Sequence, residues 1–262
     1  SNLNLLTKHY FSPVLTISSL LNFKLMKKIK QSGFKVCVSG VGADELFSGY
    51  YHHHLCYLEE IKKSPNFKKK HYEWKKYILP YVRNKKLQKI FRNNKDLFEY
   101  IFQIDKFKKD IFKEKSKINF STFKFPNIVK KSKFKNRMHL ELKHEVVPII
   151  LFQDDLNAMY HSIENRSPFL DSNLYEECLK IKNLDIIENG FSKIILRKIA
   201  SKFVNNKIIF DRYKKGLNTS LKDFFTSKKQ KTKLSKFINE NSELYKFVKK
   251  DSIIKLFKKL NK

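Results

Sequence analysis

The stretch Phe34 to Glu45, FKVCVSGVGADE, constrains the fold more than any other part of the chain. Residues 34–40 read as a short buried strand, rich in Val and Cys and stopped by Gly40. Before it, residues 14–31 (VLTISSLLNFKLMKKIKQ) place apolar side chains at three- and four-residue steps. That spacing predicts an amphipathic helix, closed by Gly33. After it, residues 43–63 (ADELFSGYYHHHLCYLEEIKK) read as a helix with a break near Gly49. Helix, glycine, strand, glycine-rich turn, helix is the order of a parallel α/β sheet. The fold class expected is therefore α/β, mostly helical.

In such folds ligands sit beyond the carboxyl ends of the strands. Ser39 offers a hydroxyl there, and Gly40 and Gly42 allow backbone to approach a ligand closely. The free N–H groups of the next helix suit phosphate. Acids in that place repel phosphate unless a cation intervenes. Asp44 is accounted for if it holds Mg²⁺ that binds phosphate oxygens. The plainer explanation of Asp44 and Glu45 is that a helix dipole favours acids in its first turn. The turn alone leaves the two even.

Residues 64–140 change style to a Lys/aromatic weave cut by Pro65, Pro80 and Pro126, and read as a helical insertion. Helices continue from 141 to 180 around the turn RSPFLDS. Residues 192–204 predict an amphipathic helix with Ser192 as its N-cap. Ile208 to Gly216 reads as a basic loop, and about 226–262 as a basic helical tail with a solvated Lys-rich face.

The formal charge of +31 invites a nucleic-acid reading. The excess is almost all Lys, though, within segments rich in Asn, Ile and Phe, which is the mix of an AT-rich genome. Arg, the better reader of phosphates and bases, is scarce. Cys37, Cys56 and Cys178 are too widely spaced for a zinc site or a disulfide framework, so a reducing cytoplasm is expected. No apolar run is long enough to span a membrane. His52, His53 and His54 point about 100° apart on a helix. They are expected to form a partly exposed face rather than share one ion. Trp74, Tyr72 and Tyr77 are expected in the core of the insertion, and Cys37 in the core of the strand.

The longer string SGVGADELFSGY resembles the SGxGxDExFxGY signature of the asparagine synthetase family. DDLNAMYHSIENRSPFLD (154–171) is similar to that family's D-x-x-(S/A)-M-x-x-x-x-E-x-R-x-PFLD block. KIILR (193–197) resembles its K-x-x-LR element, and RYKKGLNTSLKDFF (212–225) its K-x-G-F segment in weaker form. The motifs stand in family order over roughly residues 11–225.

The resemblance implies part of a Rossmann-like ATP-pyrophosphatase domain spanning 1–262. It implies ATP, Mg²⁺ and a small carboxylate, aspartate by default. The carboxylate attacks the α-phosphate, pyrophosphate leaves, and an amine then displaces AMP to form an amide. Ammonia or a glutaminase domain supplies the nitrogen, and a homodimer is compatible. By the same resemblance Ser39, Gly40 and Gly42 bind ATP, and Asp44 ligates the metal. Lys193 neutralises the departing pyrophosphate. Glu45 and Asp155 shape the substrate pocket, and Lys215 and Gly216 close over the nucleotide. Glu164 and Arg166 form a buried ion pair bracing the PFLD turn, and Asp171 caps the next helix.

Three departures stand beside this. Val41 replaces the acid that asparagine-forming members often carry between the two glycines, which opens the acceptor or the amine step to change. Leu217 replaces Phe, and the usual Pro is missing from LNTS. The upstream SGGxDS signature does not occur in this sequence. The expectation is a C-terminal part of a longer synthetase that does not turn over ATP by itself. A degenerate relative lacking catalysis is the second account of that gap. The alternative function is a non-catalytic basic scaffold for nucleic acid or a protein partner.

Overall fold

The computed structural model describes residues 2–14, 16–82, 88, 127–213, 216, 228–240 and 242–260. Most of the expected 64–140 insertion, Lys215 and the LKDFF segment lie outside them.

The chain begins with helices α1 (Asn2–Tyr10) and α2 (Ser18–Gln31), followed by strand β1 (Val36–Val38). The short helix α3 (Ala43–Phe47) and then α4 (Tyr51–Glu60) and α5 (Phe67–Tyr77) come next. Helix α6 (Lys133–Leu140) widens into a π turn over Glu141–Glu145 and leads into α7 (Val147–Tyr160) and strand β2 (Glu164–Arg166). Then follow α8 (Ser172–Lys180), α9 (Ile194–Ala200), α10 (Asn206–Ile209), α11 (Lys228–Asn239) and α12 (Lys250–Leu260). The result is helix-rich with little sheet, compatible with the α/β class.

β1 and β2 pair in parallel, Val36 against Glu164 and Val38 against Arg166. Each strand is entered from a helix, β1 from α2 and β2 from α7. These helices cover one face of the strand pair, where Met26, Ala158 and Ile163 are buried and Cys37 and Ile29 pack on them. Side chains alternate along a strand, so Val36 and Val38 point to the other face and are 41% and 67% exposed. The expected buried strand is therefore covered on one face only.

Polar groups fix how α1, α2 and α7 meet. The Tyr10 hydroxyl donates to Asn157 Oδ1 at 2.6 Å, and Asn157 Nδ2 donates to the Ser19 carbonyl and to Asn22 Oδ1. Asn157 is wholly buried, so each of these bonds removes a large desolvation penalty.

A second core joins α4, α5 and α6. Leu55, Cys56 and Tyr57 meet Trp74, Ile78 and Val82 on one side and Phe134 and Met138 on the other. The described ends of the expected insertion are thus part of this core, with Trp74 2% exposed, but Tyr72, expected beside it, is 59% exposed and lies outside the core. A third cluster of Leu46, Phe47, Leu142, Val147 and Cys178, flanked by Val41, Phe169 and Leu170, supports α3 from below.

Candidate functional site at the tip of β1

Ser39 follows the last residue of β1; its N–H donates to the Arg166 carbonyl at 2.7 Å and extends the ladder by one bond. Its hydroxyl lies 2.8 Å from that of Ser167, so two hydroxyls mark the ends of the paired strands. The chain then turns at Gly42, whose φ of 95° is left-handed and suits glycine. A Cβ there would stand 2.5 Å from Leu170 Cδ2, so the turn presses on the PFLD segment.

α3 runs for only five residues and stops at Ser48, a non-glycine residue in the left-handed region at φ 65°. The chain folds back, and Gly49 N–H donates to the Asp44 carbonyl at 2.7 Å. This puts Gly49 directly over the Asp44 side chain. A Cβ on Gly49 would lie 1.4 Å from Asp44 Oδ1 and 2.6 Å from Lys193 Cε. The absence of that one carbon opens the space in which Lys193 Nζ meets Asp44 Oδ1 at 2.7 Å.

Lys193 is positioned through its backbone as well. Its N–H donates to the Phe47 carbonyl at 3.0 Å, and its φ of 56° is left-handed. That conformation is uncommon for lysine and is held by the surroundings. It also corrects the expected N-cap. α9 begins at Ile194 with Lys193 as the flanking residue, and the Ser192 carbonyl accepts from Arg197 Nε. Both side chains are about a third exposed, Asp44 30% and Lys193 28%, so the pair faces a partly open surface.

The donor set admits a magnesium ion in part. Mg²⁺ is held by one or two carboxylates together with substrate phosphates. Asp44 supplies one carboxylate in the space that Gly49 leaves, and no second carboxylate stands at the ion pair among the described residues.

The other expected residues differ from one another in burial and partners. Glu45 does not share the open surface with Asp44. Successive helical residues point about 100° apart, and Glu45 turns inward, 3% exposed, where it accepts from the Tyr50 hydroxyl at 2.6 Å. Burial pushes its carboxyl above the usual range against that hydrogen bond. It lines a small interior cavity with Leu46, Met138, His139, Tyr175 and Cys178. Asp155 is exposed on α7, and its carboxylate makes no hydrogen bond or ion pair with the described residues. Its neighbour Asp154 is the half-buried one, and burial raises it to about 6.

The Glu164–Arg166 pair forms at 2.8 Å but is not buried. The side chains are 59% and 61% exposed, because β2 presents its first and third residues on the uncovered face. Asp171 accepts from the Leu174 N–H at 2.9 Å and caps α8. Gly216 is exposed.

The histidines also differ from expectation. His53 is fully buried and His54 nearly so, and burial lowers His54 to about 3. His52 and His53 both reach the carboxylate of Glu141, at 2.5 Å each, although their directions on α4 diverge. Glu141 lies far along the chain on the π turn, and no local pattern in the sequence marks it as their partner. Ser167 occupies a variable position of the E-x-R-x-PFLD block, so the sequence does not mark it either. For Gly49 the signals were the break it puts into a helical stretch and its place as the last glycine of the SGxGxDExFxGY signature; neither marked it as the residue that opens space for Lys193.

A glycine-gated acid–lysine pair at a parallel strand tip defines a helix-rich α/β domain with a polar site at the carboxyl ends of its strands. Residues 2–262 match the family model for asparagine synthase, and the chain belongs to that family. A curated relative, "Asparagine synthetase [glutamine-hydrolyzing] 1" from Bacillus subtilis (strain 168), is 25% identical over 260 residues. The alignment covers 95% of this chain and 40% of the relative, so the chain spans less than half that protein's length. No solved structure gives a significant match. Among the described residues no helix is long and apolar enough to cross a membrane.

Proposed function

We propose that this chain carries the nucleotide site of an ATP-dependent, amide-forming ligase of the asparagine synthetase type, on a Rossmann-like ATP-pyrophosphatase scaffold. The observation that supports this best is the Asp44–Lys193 pair at 2.7 Å across Gly49. The two family motifs carrying these residues lie far apart in sequence and meet at one point.

The chemistry asks for this arrangement. Ammonia does not expel a carboxylate oxygen, so that oxygen must first become part of a phosphate leaving group. Attack on the α-phosphate of ATP leaves an acyl-adenylate and releases pyrophosphate, whose charge must be offset as it departs. The Ser39 hydroxyl and the backbone of Gly40 and Gly42 receive the nucleotide at the strand tip. Lys193 serves as the mobile point charge for the pyrophosphate oxygens. Asp44 holds Mg²⁺ through its carboxylate, and the ion supplies charge neutralisation on the phosphates when bound.

The acceptor is a small carboxylate, aspartate by default. Val41, where an acid often stands, packs on the Leu46–Phe47 cluster. An apolar residue in that position favours an acceptor or an amine step that does not depend on a carboxylate there. Ammonia or a glutaminase domain provides nitrogen.

The test is calorimetric titration of the chain with ATP in the presence and absence of Mg²⁺. Binding that strengthens with Mg²⁺ and weakens in Lys193→Ala is expected. Salt-sensitive RNA binding without nucleotide binding would point instead to a basic scaffold.

A further inference from the structure

The cluster behind the nucleotide site has a composition the ligase chemistry does not use. His52 Nε2 lies 2.5 Å from Glu141 Oε1, and His53 Nε2 lies 2.5 Å from Glu141 Oε2. One ligand atom from each of the three residues falls within 4.8 Å of the others. Zinc holds nitrogen ligands at about 2.0–2.1 Å and carboxylate oxygens at about 2.0–2.2 Å, commonly in a tetrahedron open to a fourth ligand. The three atoms need to adjust by roughly an ångström to enclose such an ion.

Arg137 braces the carboxylate, donating through Nε to Glu141 at 3.0 Å and through its terminal nitrogens to Glu145. The Glu141 side chain is thereby fixed in the interior, 3% exposed.

The imidazoles are also held in place. The Tyr50 ring stacks on His52 with centroids 5.4 Å apart, and it meets His53 edge-on. Phe134 closes the far side of His53. The His52 side chain is 31% exposed, which leaves a path for an ion and a water ligand to enter. Glu141 starts the π turn, where Val146 N–H bonds to its carbonyl. Such turns recur at functional sites.

We propose that His52, His53 and Glu141 form a binding site for one divalent ion of the zinc class. Two imidazoles and a carboxylate are the ligand types such ions select over Mg²⁺ or Ca²⁺. Each imidazole coordinates through Nε2, so its proton moves to Nδ1. His53 Nδ1 is buried without a partner. A ligand histidine lacking its outer hydrogen bond typically binds about 10–100-fold more weakly, so micromolar rather than nanomolar affinity is expected.

The experiment is titration of the metal-stripped chain with ZnCl₂ against a chromogenic chelator, with CoCl₂ absorption as a second probe. One equivalent bound at micromolar affinity, with intense tetrahedral cobalt bands, is expected. His52→Ala, at the partly open edge, should keep the fold by circular dichroism and weaken zinc by at least about tenfold. Glu141→Gln should do the same if it folds, and Asp44→Asn should retain the site. Absence of binding at a large excess of zinc would overturn the proposal, as would binding undiminished in a folded His52→Ala variant.

Discussion

Asp44 Oδ1 and Lys193 Nζ meet 2.7 Å apart because Gly49 has no side chain. α3 ends after five residues, the chain reverses at Ser48, and Gly49 passes over the Asp44 carboxylate. The bond from Lys193 N–H to the Phe47 carbonyl brings the start of α9 to the same point.

Gly49→Ala is therefore expected to be among the most damaging small substitutions. The new Cβ would fall 1.4 Å from Asp44 Oδ1, well inside contact distance, and 2.6 Å from Lys193 Cε. The acid must swing away. Overpacking of this kind costs about 1–3 kcal/mol. Chemical denaturation should show that loss, and Mg²⁺-dependent nucleotide binding should fall at least tenfold, about 1.4 kcal/mol.

Gly42→Ala carries a different penalty. The residue sits at φ 95°, and its Cβ would press on Leu170 Cδ2 at 2.5 Å. Leu170 is a side chain and can shift, so backbone strain dominates. A stability loss of about 1–2 kcal/mol is expected, read from the denaturation midpoint. Leu170→Ala in the same chain should relieve only the side-chain contact, because the Phe169 carbonyl at 3.3 Å and the backbone strain remain.

Asp154 gives the chain a pH-dependent weakness. Burial raises its folded carboxyl to about 6, whereas an unfolded aspartate titrates near 3.9. The folded state then binds more protons between these values, so stability falls as pH rises from about 4 through 6. Asp154→Asn has no charge to bury. It should be more stable than the parent by about 1–3 kcal/mol at pH 7 and indistinguishable below about pH 4. Melting temperatures across that range provide the check.

The two acid roles around the PFLD turn should separate cleanly. Asp171 caps α8, and Asp171→Ala should cost about 1 kcal/mol. The Glu164–Arg166 pair is well exposed on β2. Glu164→Gln should leave the melting temperature unchanged at any salt concentration, since exposed pairs contribute little.

The strand tip was legible because its grammar is local. Ser39, Gly42 and Asp44 follow one another in a short segment, and turn chemistry and the helix start are written there. The capping by Asp171 was legible for the same reason. Glu45 points away from Asp44 because a motif lists neighbours while a helix rotates them apart, sending Asp44 to the surface and Glu45 to the interior. Glu164 and Arg166 were misjudged because burial depends on what covers a sheet face, and a three-residue strand does not reveal that. The Glu141 hub was invisible. It needs a π turn on α6 and a contact across to α4, neither of which leaves a periodic trace. His52 and His53 converge on it despite diverging on their own helix, since the two carboxylate oxygens receive them separately.

The most direct test of the account is the Mg²⁺ dependence of ATP binding in the parent chain and in Asp44→Asn. The account predicts that the parent binds more tightly with Mg²⁺, whereas the variant keeps its Mg²⁺-free affinity and loses the increment. An increment of equal size in Asp44→Asn would contradict it.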